Sequence, residues 1–365
     1  MQMHLRWTCC TVAVMSGEDE SANADGAVGD APEPFDVLGE LINGGMKAQI
    51  VRVFAQLNVA DHLADGPHDL AALALVTGSP PAVLARLLRA AAALGLCAIS
   101  DGDQFNLSAI GQGLRADIPQ SARGWALLLG SPWMSAAWQE LAFAVRSGTA
   151  SFPAVHGVEF WEYVAAHPQE GAFFNETMTS SAEPLGRSVA DRIDMSDVAS
   201  IVDVGGGEGR LLASVLSKVP HARGIVADRP TVIAGRSSAT YDESVKDRLE
   251  FCSADFFDSI PSGADLYLLS RILHDWPDDK AIEILRTCRR AISDGGRLCI
   301  VESVVPPVDS MSRADQLDQA IRDLNMLVLV GGQERTAEQY ESLLDSAGFT
   351  VVTIHTCGSC DIIEA

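Results

Sequence analysis

A glycine-rich turn in the middle of the chain has the residue types and spacing of a ligand-binding loop. The apolar run 201–204 ends in glycines at 205, 207 and 209, and a helix-period pattern begins at Arg210. Small residues at such a turn let a ligand approach the backbone. A dinucleotide site would have its third glycine where Arg210 stands, so the G-x-G-x-x-G pattern is not met. A different small ligand is favoured over a dinucleotide or a plain structural turn.

Acidic residues accompany this turn and end the next two strand patterns. Asp228 closes the second strand pattern, where a carboxylate can accept hydrogen bonds from both ribose hydroxyls of a nucleoside. Asp255 closes the third and could receive an adenine amino group, while the ring of Phe256 could stack on the base. Each acid alone could equally cap a helix. With Asp203 before the glycines, three acids in register favour a nucleoside-containing ligand.

A histidine and three acids farther along form a candidate acid–base set. His274 and Asp275 follow the fourth strand pattern, and a histidine with an ordinary pKa near 6.5 can accept a proton at neutral pH. Glu302 lies in an apolar strand pattern and needs a charged or hydrogen-bonding partner there, unless it caps a helix. Glu334 lies on a glycine-containing loop, and its alternative role is a salt bridge to Arg335.

An α/β sheet must position these residues. Strand patterns alternate with helix-period segments in the second half of the chain, which predicts a mostly parallel sheet with right-handed crossovers. The ligand then sits at the carboxyl ends of the strands. The last two patterns, 349–356 and 361–365, are joined by only four residues, so this pair must be antiparallel. The preceding strand patterns are 201–204, 223–228, 249–255, 264–272 and 297–304.

The first half of the chain is predicted to be mainly helical. One or two amphipathic helices are expected from residue 36 to 63, with a break at Gly44-Gly45. Residues 69–114 have the order of a winged helix: helix, turn, helix and two short strands. Three arginines between residues 66 and 116 are matched by three aspartates, so a basic face for DNA is not predicted. A structural or dimerising role is favoured.

Residues 120–185 are also predicted to be helical and carry most of the tryptophans. Aromatic and thioether side chains just before the glycine turn could line a pocket for a flat aromatic substrate. They could equally form helix–helix core, and the sequence does not separate the two roles. The side chains concerned are Phe160, Trp161, Phe173, Phe174 and Met178.

Composition favours a globular protein that acts on a small molecule. The formal net charge of −23 disfavours nucleic acid and anionic membrane as partners, because phosphate contact relies on Lys and Arg. No apolar run in the sequence has the length of a membrane span. The eight cysteines are scattered, which is typical of reduced thiols and predicts a cytoplasmic protein. Cys357–Cys360 is a single CxxC, for which a metal or redox role is disfavoured.

Residues 1–34 are expected to be a disordered acidic tail. Residues 7–15 weakly imitate a signal peptide, but a small-residue cleavage site does not follow them. Our hypothesis is that residues 1–14 come from an upstream start codon. The remaining domains are predicted at 35–185, for dimerisation and substrate lining, and at 186–365, for ligand binding and catalysis.

The motifs resemble those of the S-adenosylmethionine (SAM)-dependent O-methyltransferases of secondary metabolism, the plant caffeic acid enzymes and their bacterial natural-product relatives. The D-x-G-x-G-x-G register resembles motif I of class I methyltransferases. VDVGGGEG, ADRP, ADFF, LLSRILHDWPDD, IVES and DLNMLVLVGGQERT occur in the family's order over about 36–365. The resemblance implies a Rossmann-like class I sheet, mostly parallel with an antiparallel terminal strand, and an N-terminal winged-helix dimerisation domain. It further implies a homodimer through N-terminal helices and no metal.

The resemblance also implies roles for single residues. His274 would be the general base, with Asp275 beside it and with Glu302 and Glu334 orienting it. The donor site would contain Asp203, Gly205, Gly207, Asp228, Asp255, Phe256, Ser270 and Arg271. The acceptor pocket would contain Phe160, Phe174, Met178, Asn325 and Met326. Two positions depart from the plant enzymes, which usually have Lys in place of Ser270 and Leu in place of Arg229.

The predicted reaction is methylation of a phenolic hydroxyl of a small aromatic natural product, with S-adenosylhomocysteine (SAH) as the second product. His274 would remove the proton from a phenol of pKa about 10, and the phenolate would attack the sulfonium methyl. The motifs do not separate this from N- or C-methylation. A few bacterial members instead assist decarboxylation or hydroxylation. A SAM-binding regulator without catalytic activity is a weaker alternative, because the winged helix lacks a basic face.

Overall fold

The computed structural model describes residues 33–100, 102–118, 121–235, 241–357 and 360–365. The predicted tail 1–34 lies almost entirely outside the described residues. The same holds for Asp101 and for residues 358–359, which belong to two predicted turns.

The N-terminal part is a helical unit with a small three-stranded sheet, as the winged-helix order predicts. Asp69 begins α4 by accepting a hydrogen bond from the N–H of Ala72 at 2.7 Å, and Pro81 lies in the first turn of α5. The predicted break at Gly44-Gly45 is one residue earlier, at Asn43, and the glycines begin α2. β1 was not predicted; it pairs with β3. The elements are α1 (Pro34–Ile42), α2 (Gly44–Gln56), α3 (Val59–His62), β1 (His68–Asp69), α4 (Leu70–Thr77), α5 (Pro81–Ala93), β2 (Cys97–Ser100), β3 (Gln104–Leu107) and α6 (Ala109–Gln112).

Helices then lead to the sheet domain. The predicted boundary between residues 185 and 186 falls inside α12, a helix of 25 residues that carries Phe174 and Met178 and continues to Arg192. Leu185 and Val189 of this helix are buried against the first helix of the sheet domain. The elements are α7 (Arg123–Leu129), α8 (Pro132–Gln139), α9 (Leu141–Ser147), α10 (Phe152–His156), α11 (Phe160–Ala166) and α12 (Pro168–Arg192).

Among the described residues, the second half forms a seven-stranded sheet in the order β11-β12-β8-β7-β4-β5-β6. Strands β4 to β8 are parallel, and β12 pairs antiparallel with both β8 and β11, as predicted. The elements are β4 (Ser200–Val204), α13 (Arg210–Lys218), β5 (Arg223–Asp228), α14 (Pro230–Gly235), α15 (Glu243–Lys246), β6 (Leu249–Ser253), β7 (Leu266–Ser270), a 3-10 turn (Leu273–Asp275), α16 (Asp278–Ala291), β8 (Arg297–Glu302), β9 (Val304–Val305), a second 3-10 turn (Val308–Ser310), α17 (Arg313–Val330), β10 (Arg335–Thr336), α18 (Ala337–Ser346), β11 (Thr353–Cys357) and β12 (Cys360–Glu364).

The sheet is buried on both faces, which explains why its strands are apolar runs without alternation. Val202 and Tyr267 pack toward α16 and α18, whereas Ile201 and Leu266 pack toward α12 and α13. β4 has β5 on one side and β7 on the other, so the strand order reverses at β4. A crevice opens at the carboxyl ends of the strands at such a switch point.

The described helices differ in length and polarity, and a helix needs about 20 mostly apolar residues to cross a membrane. No single one of them is long and apolar enough to cross a membrane. α4 and α5 reach the necessary length and apolar composition only as a pair, and the two helices are bent by 105° relative to each other.

Candidate active site

The glycine turn after β4 needs glycine for backbone reasons. Gly205, Gly207 and Gly209 have φ values of 72°, 58° and 74°, a left-handed conformation that side chains disfavour. A Cβ at Gly205 would also lie 2.5 Å from the Ile272 side chain. The Gly207 N–H donates to the Asp228 carboxylate at 2.8 Å, which ties the turn to the end of β5. The turn and the neighbouring strand end therefore form one rigid surface.

A cavity of about 430 Å³ lies at the carboxyl ends of β4 to β7. Phe174 and Met178, two of the predicted acceptor residues, line it from α12, and Asp275 lines it beside His274. The eight residues predicted for the donor site also line it: Asp203, Gly205, Gly207, Asp228, Asp255, Phe256, Ser270 and Arg271. The structure thus brings the whole predicted donor set together around one space.

Polar atoms in this cavity fit a ligand with a cationic group and hydroxyl groups. The Asp203 carboxylate is 1% exposed, and within the described residues neither of its oxygens has a hydrogen-bond partner. Burial and the negative charge of Asp228 raise the pKa of Asp203 to about 7. The Ser270 hydroxyl is likewise buried and unpaired within the described part of the chain. Amino and hydroxyl groups of SAM would supply the missing partners.

Aromatic rings form another wall of the same cavity. Phe256 lies 5.0 Å from Phe257, and Trp276 makes edge contacts with both rings at 6.0 and 4.8 Å. Asp255 is exposed at the cavity and accepts a hydrogen bond from the Phe257 N–H at 2.9 Å. A carboxylate beside a flat aromatic surface is suited to a purine base. Trp276 and Phe257 were not predicted, although both stand directly beside residues that were.

His274 lies in the 3-10 turn that follows β7, and its imidazole is 13% exposed. Its Nδ1 atom lies 3.3 Å from a carboxylate oxygen of Glu302 and 3.3 Å from one of Glu334. Its Nε2 atom lies 3.6 Å from Asp275. Burial alone would lower the pKa of His274, but the three negative charges together raise it to about 10. The structure therefore gathers the four residues of the predicted acid–base set.

Glu302 has two roles, one for each carboxylate oxygen. Its Oε1 accepts the backbone N–H groups of Ile272, Leu273 and His274 at 3.0, 2.8 and 3.3 Å, while Oε2 faces the imidazole. The cap role and the histidine-contact role predicted as alternatives are thus both present. Burial raises the pKa of Glu302, and the charge of His274 opposes this effect. β7 and β8 are parallel neighbours, so their ends place His274 and Glu302 at one edge of the sheet.

Glu334 reaches the imidazole from the loop after α17. The backbone N–H of Gln333 donates to the His274 carbonyl oxygen at 2.9 Å, and a Cβ at Gly332 would overlap that same oxygen. The Glu334 N–H donates to Asp323 at 2.9 Å. Arg335, the alternative partner predicted for Glu334, forms its ion pair with Asp278 at 2.9 Å instead. Gly332 and Arg335 were not predicted as site residues, although both belong to the quoted GGQERT motif.

The predicted acceptor residues divide into two groups. Phe174 and Met178 line the cavity, and Arg271 has a φ of 54° and directs its guanidinium toward the Met178 carbonyl oxygen at 3.4 Å. Phe160 is 2% exposed within an aromatic cluster with Trp133, 5.9 Å away. Asn325 and Met326 lie on α17, where the Asn325 side chain accepts a hydrogen bond from the Trp138 indole at 3.0 Å. Among the described residues, Phe160, Asn325 and Met326 are not part of the cavity lining.

Comparisons with known proteins agree with this geometry. An O-methyltransferase domain model matches residues 138–350, and an O-methyltransferase dimerisation domain model matches residues 39–114. Phenazine O-methyltransferase PhzM of Lysobacter antibioticus is 34% identical over 330 residues, which cover 90% of this chain and 95% of that protein. 8-amino-8-demethylriboflavin N,N-dimethyltransferase of Streptomyces davaonensis is 35% identical over 315 residues, which cover 85% and 89%.

A solved structure shows the same likeness. It is that of an O-methyltransferase from neocarzinostatin biosynthesis in complex with SAM and 2-hydroxy-5-methyl naphthoic acid. Its TM-score is 0.75 at 31% identity, and the match covers 87% of this chain and 94% of that chain. The chain belongs to the SAM-dependent O-methyltransferase family and has the class I methyltransferase fold. Within this family it groups with bacterial enzymes of natural-product biosynthesis, and its methyl donor is SAM.

Proposed function

We propose that this enzyme methylates a phenolic hydroxyl of a small aromatic natural product and that His274 is the general base. One observation carries the proposal. The Nδ1 atom of His274 lies 3.3 Å from each of two buried carboxylates, and the neighbouring residues Ile272, Asp275 and Trp276 line the cavity that also contains the glycine turn. A base oriented by other groups and set beside a donor site is what acid–base assistance of methyl transfer requires.

The two carboxylates determine which imidazole nitrogen takes the proton. Glu302 and Glu334 both face Nδ1, so in the neutral imidazole this atom keeps its hydrogen and Nε2, which lies 3.6 Å from Asp275, accepts the proton. SAM supplies an electrophilic methyl group when bound. The raised pKa of His274, about 10, differs from the ordinary value near 6.5 expected from the sequence: the neutral base forms above neutral pH, and it then matches a phenol in pKa. The protein's other contribution is alignment, which can be worth roughly 7–11 kcal/mol.

The donor site would use the set predicted from the sequence. The unpaired Asp203 carboxylate and Ser270 hydroxyl are suited to polar groups of the donor, and Asp228 is suited to its ribose. Burial raises the pKa of Asp228, whereas the N–H groups of Gly207 and Arg229 stabilise its ionised form, which is the form that accepts hydroxyl hydrogens.

The acceptor would lie against α12, between Phe174, Met178 and Trp161. Rings and a thioether give a flat apolar surface with few hydrogen-bonding groups, which suits an aromatic ring system. The naphthoic acid in the related structure supports an acceptor of this kind. N-methylation of an aromatic amine is the second candidate, favoured by the similarity to the riboflavin-analogue N,N-dimethyltransferase.

The protein is proposed to act as a homodimer through its N-terminal helices. Apolar side chains on α1 and α2 are more than half exposed in the single chain, and the match to a dimerisation domain begins at residue 39, within α1. They are Phe35, Leu38, Leu41, Ile42 and Met46. A cytoplasmic location is proposed as well, supported by free thiols at Cys97, Cys252, Cys288, Cys299 and Cys360.

The test combines product mass spectrometry with one substitution. The protein is incubated with SAM and a panel of catechols, hydroxynaphthoates, hydroxyquinones and matched aromatic amines. Transfer to oxygen supports the proposal, and transfer to nitrogen alone supports the second candidate. His274→Ala should then lose at least 90% of the rate while SAH affinity by calorimetry stays nearly unchanged. A variant that keeps more than a tenth of the rate would show that His274 is not the base.

A further inference from the structure

A buried arginine beside the active site is not used by the reaction as described above. Arg335 is fully buried, at 0% exposure. Its Nη1 donates to the Leu273 carbonyl oxygen at 2.8 Å and its Nη2 to that of Trp276 at 2.7 Å. Its Nε and Nη2 also donate to Asp278 at 3.0 and 2.9 Å. The guanidinium thus contacts both sides of the turn that carries His274.

Opposite charges hold this turn at its two polar ends. The Glu302 carboxylate accepts hydrogen bonds from the N–H groups of residues 272–274, and the Arg335 guanidinium donates to the carbonyl oxygens of residues 273 and 276, the first of which also accepts the Trp276 N–H at 3.3 Å. Free N–H groups at the start of a helical turn favour a negative charge, and free carbonyl groups at its end favour a positive one. A single 3-10 turn has little stability of its own, so these two side chains, together with the Gln333 N–H on the His274 carbonyl oxygen, hold its geometry.

We propose that Arg335 is a positioning residue that fixes the His274 imidazole between Glu302 and Glu334 by clamping the carbonyl side of the 3-10 turn. The proposal rests on the proposed role of His274 as base. Arg335 also reaches the donor side of the cavity, because the carbonyl it holds belongs to Trp276, whose ring packs on Phe256 and Phe257.

The alternative is that Arg335 only stabilises the fold through Asp278 at the start of α16. Two features favour the positioning role. Two of the four hydrogen bonds go to the backbone of the turn and of Trp276 directly after it, and Asp278 is 62% exposed, so its ion pair is partly screened by solvent. The planar fork of arginine is needed because a lysine ammonium cannot reach two carbonyl oxygens and a carboxylate in one plane.

The test is Arg335→Lys, which keeps the charge and removes the fork. The matched control is Arg248→Lys, because Arg248 is another arginine that holds backbone carbonyls, those of Leu216, Val219 and Ala222, away from the cavity. Arg335→Lys should lower kcat roughly 10- to 100-fold, the scale expected for a small misplacement of a catalytic group. KM and SAH affinity should change less than threefold. Arg248→Lys should leave kcat within twofold.

A second readout follows the imidazole directly. In protein with ¹³C-labelled histidine, the His274 signal is assigned by its loss in His274→Ala and titrated by NMR. In Arg335→Lys the His274 pKa should fall toward 6.5, since the charge is kept and only contact with the carboxylates is lost. Arg248→Lys should leave it unchanged. If Arg335→Lys does not fold, Asp278→Asn is a milder second variant. It should also lower the His274 pKa, and kcat should fall about two- to fivefold.

Two outcomes overturn the inference. One is an unchanged His274 pKa with equal activity losses in the Arg335 and Arg248 variants, which would indicate a purely structural role. The other is a loss of kcat from Arg335→Lys that is as large in the His274→Ala variant as in the wild type. A residue that acts through His274 should have little effect once His274 is gone. Failure of the general-base proposal is seen separately, as high activity of His274→Ala alone.

Discussion

Replacing Glu302 with glutamine removes one buried negative charge from His274 and keeps an oxygen that can accept the N–H groups of the turn. A unit charge 3.3 Å away, at an effective dielectric constant of 20, is worth about 5 kcal/mol or roughly 3–4 pKa units. Burial raises the pKa of Glu302 itself and the charge of His274 opposes this, so the full Coulomb value is an upper bound for the change. We therefore expect the pKa of His274 to fall by at least one unit.

The sign of the effect on catalysis follows from the charge. A negative neighbour stabilises the imidazolium ion, so its removal makes the neutral base available at lower pH. The rising limb of kcat against pH should move to lower pH by one unit or more. The maximal kcat should fall, because a weaker base removes a phenolic proton less well. The measurement is kcat from pH 5.5 to 10 at saturating SAM and acceptor.

Glu334→Gln is the matched control, since its carboxylate lies at the same 3.3 Å from the same nitrogen but does not cap the turn. Both glutamine variants should shift the profile in the same direction. The alanine variants should differ: Glu302→Ala leaves buried N–H groups unpaired, at about 1–3 kcal/mol each, and Glu334→Ala does not. A profile that stays in place in Glu302→Gln, or moves to higher pH, would refute His274 as the titrating base.

Three further predictions concern the donor, the loop and pH. Asp228→Asn should weaken SAH binding at least tenfold by calorimetry, with melting temperature in the absence of SAH changing little. Gly332→Ala should abolish activity because its Cβ would overlap the His274 carbonyl, whereas Gly39→Ala, with open space around it, should be neutral. Asp275 has its pKa raised to about 7 by burial, so its contribution to stability is lost as pH rises from 4 through 7; Asp275→Asn should gain about 2–3 kcal/mol over the wild type between pH 5 and pH 8 in denaturant titrations.

The strands of the sheet domain were predictable from the sequence because both faces of a parallel sheet are buried. β5 begins and ends at the predicted residues, and β4, β6, β7 and β8 lie within about three residues of their predicted ends. The antiparallel pair at the end followed from chain length alone, since four residues cannot form a crossover. β1 was not predicted because a strand of two residues is too short to show an alternating apolar pattern.

The donor residues were predictable for a related reason. Once parallel strands alternate with helices, their carboxyl ends share one edge, so Asp203, Asp228 and Asp255 had to lie close together. The sequence did not show which aromatic residues before the glycine turn line the cavity and which belong to the core. Phe160 and Phe174 are both apolar side chains on helices, and only the packing of α11 and α12 buried the first and left the second at the cavity.

The sequence by itself thus determined the sheet, the glycine turn and the acids at the strand ends, because each depends on local pattern and chain direction. Tertiary structure decided how His274 is held. Glu334 and Arg335 follow it by about sixty residues and come from a loop whose path depends on the packing of α17. The resemblance implied that Glu302 and Glu334 orient His274, but sequence spacing by itself carries no information about which atoms meet across such a distance. The contact of two carboxylates with Nδ1, and the clamping of the turn between opposite charges, exist only once the chain has folded.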